Sequence, residues 1–130
     1  MSSTMTQDLT QHRFATSDAF AAWLRDHDDS STGIWLVVAK KGSPMATITH
    51  GQALLVALRH GWIDAQALSL DSDSFLQRFC PRRKGSNWSA RNREYVEAMI
   101  AEGTMAPRGL EEVERAKQNG RWEAAYAGRA

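Results

Sequence analysis

Apolar residues recur along this chain in two rhythms, one helical and one continuous, and their alternation predicts its elements. Phe20, Trp23, Leu24 and His27 fall at helical spacing behind Thr16 or Ser17, either of which can accept a bond from an orphan backbone N–H. This predicts a helix over about 17–27, with Phe14 placed to staple onto Phe20 and the run Asp26 to Ser31 ending it. Ile34 to Ala39 is a continuous apolar run between Gly33 and Lys40-Lys41-Gly42, which predicts a central strand covered on both faces. Thr49 followed by Gln52 reads as a capping box. Ala53, Leu54, Val56, Ala57 and Leu58 then form the stripe of a second helix stopped by Gly61.

Residues 62–70 and 75–82 read as two strands of a hairpin around Asp71-Ser72-Asp73-Ser74, with Pro81 at a strand end or edge. Ser86 or Ser89 opens a third helix in which Trp88, Tyr95, Val96, Met99 and Ile100 share a face, ending at Gly103. Pro107 suits the first turn of a fourth helix, with Leu110, Val113 and Ala116 inward and Gly120 as its stop; a last helical turn carries Trp122 and Tyr126. The sum is an α+β fold, a small, mainly antiparallel sheet of about three strands covered by four or five helices.

The 130 residues suit one domain over 13–130, preceded by a Ser-, Thr- and Gln-rich tail over 1–12 that has little to bury and is expected to be disordered. Sixteen basic and fifteen acidic side chains leave a net charge of +1, which disfavours nucleic-acid or membrane binding by bulk charge. A single cysteine, Cys80, allows no internal disulfide, and Met1 to Gln11 has neither a basic nor an apolar signal-peptide region. Cytoplasmic residence without membrane insertion is the expectation. Oligomeric state is not legible here.

Several local motifs resemble one known family. They are Trp23-Leu24, Gly33-Ile34-Trp35-Leu36 with Lys40-Lys41, Ala57-Leu58 leading into Gly61-Trp62-Ile63-Asp64, and Arg78-Phe79-Cys80-Pro81-Arg82. Ser86-Asn87-Trp88-Ser89 with Asn92, Gly103-Thr104-Met105 and Gly120-Arg121-Trp122 complete the set. In order and content the chain resembles the YdeI/OmpD-associated family, also labelled bacteriocin-protection proteins. The resemblance implies a role in stress response or peptide-stress protection. It supplies no mechanism.

Chemistry is best sought between residues 78 and 93. Six cationic side chains, Arg78, Arg82, Arg83, Lys84, Arg91 and Arg93, occur there without an acid, running into a helix start where Gly85, Ser86 and Asn87 permit close approach of an anion. Arg78 and Arg82 are four residues apart, so on one strand they share a face and can clamp a carboxylate or phosphate. Asp64 interrupts an apolar strand and calls for an arginine partner; it meets Arg78 and Arg82 only if the hairpin register puts residue 64 opposite residue 82. Trp62 and Trp122, each after a glycine, are the tryptophans expected to be partly exposed, whereas Trp23, Trp35 and Trp88 read as core. The structural alternative stays open: Ser86 and Asn87 as caps, Arg82 solvated, Asp64 in an ordinary ion pair.

His12, His27, His50 and His60 are scattered without ligand spacing, so no metal or other cofactor is expected, and Cys80 reads as a buried inert thiol. Three functions remain. The first is a binding or stress-adaptation module taking an anionic small ligand or acidic peptide at Arg78, Arg82, Ser86 and Trp88, with Lys40, Trp62, Asp64 and Asn92 as further contacts. The second is an enzyme on such a substrate using Asp64 or Lys40 for proton transfer. The third, single-stranded nucleic-acid binding with Trp62 or Trp88 as a stacking platform, is disfavoured by the acids at 26–29 and 111–114.

Overall fold

A computed structural model describes residues 10–127, with the side chains of 126 and 127 left aside. Helix α1 spans Ser17–His27 and is capped by Thr16, whose hydroxyl accepts from the Ala19 N–H at 3.1 Å. Strand β2, Ile34–Ala39, follows a two-residue strand β1, Gln11–His12. Helix α2, His50–Arg59, begins with the expected capping box between Thr49 and Gln52. The hairpin is β3, Trp62–Ser69, and β4, Ser74–Pro81. Ser89 rather than Ser86 caps α3, Ala90–Glu102, and Gly103 ends it in the left-handed region at φ 75°. Helices α4, Pro107–Gln118, and α5, Arg121–Ala127, complete the order.

The sheet has four strands in the order β1-β2-β4-β3, so the expected count of about three falls short by β1. β1 pairs parallel to β2 and the other pairings are antiparallel. Gln11 and His12, expected to lie in the disordered tail over 1–12, form β1, because they pair with Trp35 and Leu36; residues 1–9 lie outside the described ones.

Alternation along β2 decides which face is covered. Ile34, Leu36 and Val38 are buried against Phe20 and Leu24 of α1 and Ala53, Val56 and Ala57 of α2. Trp35 and Val37 point the other way and are only half-buried, so β2 is covered fully on one face, not on both as its continuous apolar run suggested. Because β4 pairs Arg78 with Trp35 and Cys80 with Ile63, Arg78 and Cys80 share that second, more open face.

A second apolar cluster joins Leu58 of α2 to Trp88, Val96, Met99, Val113, Ala116, Trp122 and Ala125. Two expected inward residues are instead exposed, Ile100 at 40% and Leu110 at 43%, because the helical layer packs on a narrower stripe than the apolar pattern offers. The two clusters are locked at the junction of α2, β3 and α4 by glycine. A methyl group at Gly109 would overlap the Arg59 carbonyl oxygen, and one at Gly61, where φ is 77°, would come within 2.9 Å of the Glu112 side chain. No described helix is long and apolar enough to cross a membrane.

Candidate functional site: an arginine-lined groove

The hairpin register is set by a bulge. Asp64 opposes Phe79, but Ala67 opposes Gln77, so β3 spends one extra residue between these pairs and thrusts Ala65 and Gln66 out of the ladder. The buried Gln77 amide fills the gap, donating to the carbonyls of Ala65 at 3.1 Å and Gln66 at 3.3 Å. This bulge forms one wall of a groove of about 690 Å³ on the open sheet face. Thr32 and Trp35 form a second wall, and Arg78, Cys80, Pro81, Arg82 and Arg83 line the rest. The volume falls in the range of small-molecule sites.

Arg78 is 6% exposed; its guanidinium lies 5.6 Å from the Trp35 ring centroid and donates to the Thr32 carbonyl at 3.5 Å. Arg82 is 4% exposed. Its backbone N–H donates to the Gly61 carbonyl, extending the ladder by one bond, and its Nη1 donates to Ser86 Oγ at 3.2 Å and the Asn87 carbonyl at 3.0 Å. The guanidinium carbon sits 3.7 Å from the Trp88 ring centroid. Trp88 in turn meets Trp122 edge to face at 5.0 Å, and Arg93 lies over Trp122.

This packing leaves Arg82 undersupplied. Of the described residues, only Arg59 and Arg82 carry buried side-chain polar atoms without a hydrogen-bond partner, and two of the three such atoms are Nε and Nη2 of Arg82. No carboxylate lies within ion-pair distance of Arg82 among the described residues. Burial pushes its pKa down to about 10, against smaller opposing effects of Glu112 and Asp64. That downward shift corresponds to a cost of about 3 kcal/mol for holding the charge in place. Cys80, half-buried in the same groove, is raised by desolvation, with Arg78 and Arg83 pulling the other way.

The remaining expected site residues are dispersed. Lys40 Nζ donates to the Asp71 carbonyl at 2.6 Å and to Ser69 Oγ at 3.3 Å, tying down the hairpin turn. Asp64 finds a histidine instead of an arginine: His50 Nε2 lies 2.8 Å from its Oδ2. The pairing of residue 64 with 79 puts Asp64 on the face opposite Arg78, so the register that would have brought Asp64 to Arg78 and Arg82 is not the one formed. Trp62, expected to be partly exposed, is fully buried with its Nε1–H donated to the Asp28 carbonyl at 3.0 Å; Trp122 is 5% exposed. Neither Trp62 nor Trp88 presents a free face for base stacking. The Asn92 backbone N–H is taken by the Ser89 cap. Trp35, Thr32, Gln66 and Cys80 were missed as groove residues. The period-two alternation of β2 could have flagged Trp35, but the bulge leaves no sequence signal.

Among the described residues no three His, Cys, Asp or Glu side chains converge as metal ligands. No curated protein and no solved structure matches the chain. Residues 12–112 match the family described as Domain of unknown function (DUF8412), and the chain belongs to that family.

Proposed function

We propose that the chain is a binding module whose groove takes a small anionic ligand or the acidic side chain of a peptide, with Arg82 as the principal charge. The observation that carries this is the buried Arg82 guanidinium, which among the described residues has two unbonded donors and no acidic partner. A cation held this way is costly unless an anion completes it, and perturbed groups of this kind concentrate at functional sites. Arg78 and Arg83 add charge along the groove, Trp35 offers an apolar wall, and the displaced Gln66 supplies a polar rim. A cytoplasmic stress-adaptation setting, as the resemblance to the YdeI/OmpD-associated family implies, is part of the proposal.

Binding is favoured over catalysis because Lys40 and Asp64, the proposed proton-transfer groups, do not line the groove. The test is a thermal-shift series with inorganic phosphate, sulfate, carboxylates, nucleotides and acidic peptides at constant ionic strength. One chemical class should raise the melting temperature with concentration, by linkage to the folded state, and Arg82→Met should abolish the rise. A rise that persists unchanged in Arg82→Met would remove Arg82 from the site.

A further inference from the structure

A second cleft, about 400 Å³, lies away from the groove between the end of α1 and the start of α4, lined by Arg25, Asp28, Asp29, His60, Pro107 and Arg108 among others. The bond from the Ala106 N–H to the Arg59 carbonyl, and the close approach at Gly109, hold α4 against the end of α2 and so bring His60 to this cleft. His60 is 6% exposed. Its Nδ1 lies 2.8 Å from Asp28 Oδ2, and Asp28 is itself fixed by its place at the end of α1 and by the Trp62 indole N–H on its carbonyl.

An ionised carboxylate only accepts, so Nδ1 carries a proton, and in the neutral ring the lone pair then lies on Nε2. Nε2 has no hydrogen-bond partner among the described residues, and it is not one of the closed-off buried atoms. An oriented acceptor thus opens on the cleft from a ring that is otherwise enclosed. The charges around it are mixed. Arg108 is already engaged by Glu112 at 2.8 Å and Glu111 at 3.4 Å. Among the described residues, Arg25 and Asp29 are the two charged cleft residues that form no ion pair, and they have opposite sign. A simple anion would use only one of them.

We propose that this cleft binds a zwitterion of the amino-acid type, a free amino acid or dipeptide, with its ammonium group donating to His60 Nε2 and facing Asp29 while its carboxylate meets Arg25. The charged and titratable groups that line the cleft with His60 are Arg25, Asp28 and Asp29 of the α1 end and Arg108 and Glu111 of α4. A proton on Nε2 would make it a donor and set two cations against each other, so the proposed contact is one that the neutral ring makes.

The experiment is a titration of the full chain with free amino acids and glycylglycine, followed through the ring-nitrogen NMR signals of His60. Nδ1–H should be the neutral tautomer, and a bound zwitterion should shift Nε2. N-acetylation or amidation of the ligand, Arg25→Gln and Asp29→Asn should each weaken binding at least tenfold; both substituted side chains are exposed, so the fold is not at risk. Equal binding of the N-acetylated form, an Nε2–H tautomer, or no shift of the His60 signals with any zwitterion would overturn the proposal. Arg82→Met should leave this binding unchanged, which separates its fate from that of the groove.

Discussion

Arg82 lies over Trp88, 3.7 Å from its ring centroid, and this contact links the end of β4 to the residues that lead into α3. The indole covers one face of the guanidinium, and Ser86 and Asn87 satisfy Nη1, but no group among the described residues satisfies Nε or Nη2. Cation–aromatic stacking of a desolvated pair contributes roughly 2 kcal/mol, comparable to but smaller than the cost of the buried charge. An anion reaching Nε and Nη2 would offset that cost, which is the basis of the proposed role.

The two partners should respond differently to substitution. Arg82→Met keeps length and apolar packing while removing the uncompensated charge, and its unfolding free energy without anion should lie within about 1 kcal/mol of the parent. Trp88→Ala removes the centre of the second apolar cluster and should cost ~3–5 kcal/mol. Urea unfolding of both variants checks this; equal losses would make Arg82 a structural residue.

Gly109→Ala should be among the most damaging small substitutions in the chain. A methyl group there overlaps the Arg59 carbonyl oxygen and crowds the Met105 side chain, so α4 must move off the end of α2. Overpacking against backbone costs ~1–3 kcal/mol or more, and the same change at the exposed Gly51, which meets nothing, should be neutral or stabilising. A pair of thermal melts distinguishes them.

Cys80 should react slowly. Burial holds its thiol above the ordinary 9.0, so N-ethylmaleimide at neutral pH should modify it more slowly in the folded chain than in urea. Since the folded pKa is the higher one, the thiol's contribution to stability is present below about pH 9 and is lost as pH rises through the folded value. An anion in the groove adds negative charge beside the sulfur and should slow the reaction further. Phosphate that leaves the rate equal to that in chloride of the same ionic strength would contradict a shared site.

Asp64→Asn should change stability by less than about 1 kcal/mol, because its partner His50 has a side chain 44% exposed and water screens the pair. Denaturant midpoints of Asp64→Asn and His50→Gln, compared with the double variant, measure the pair directly.

Much of this fold was legible in local chemistry. Thr16, Thr49 and Gly103 mark helix ends through bonds made within a few residues, and Pro107 through its fixed φ at the first helical position; α1 and β2 have the boundaries that their patterns predict. What escaped depends on long-range geometry. The bulge at Ala65 and Gln66 fixes which residues meet across the hairpin, and it is stabilised by Gln77, eleven or twelve residues away, so Asp64 faced a histidine rather than an arginine. The arginine-rich segment was visible as a charge anomaly. That Arg82 would be enclosed while lacking partners was not, because burial is decided by Trp88 and the helices behind it.

The most direct measurement of the central claim is the Nε–Hε NMR signal of Arg82 during a phosphate titration at constant ionic strength. A saturable shift of that signal, with the Arg93 signal unmoved, is the predicted result. An Arg82 signal that stays in place while the surface arginines shift together would contradict the account and make the buried charge a structural feature of the junction between sheet and helices.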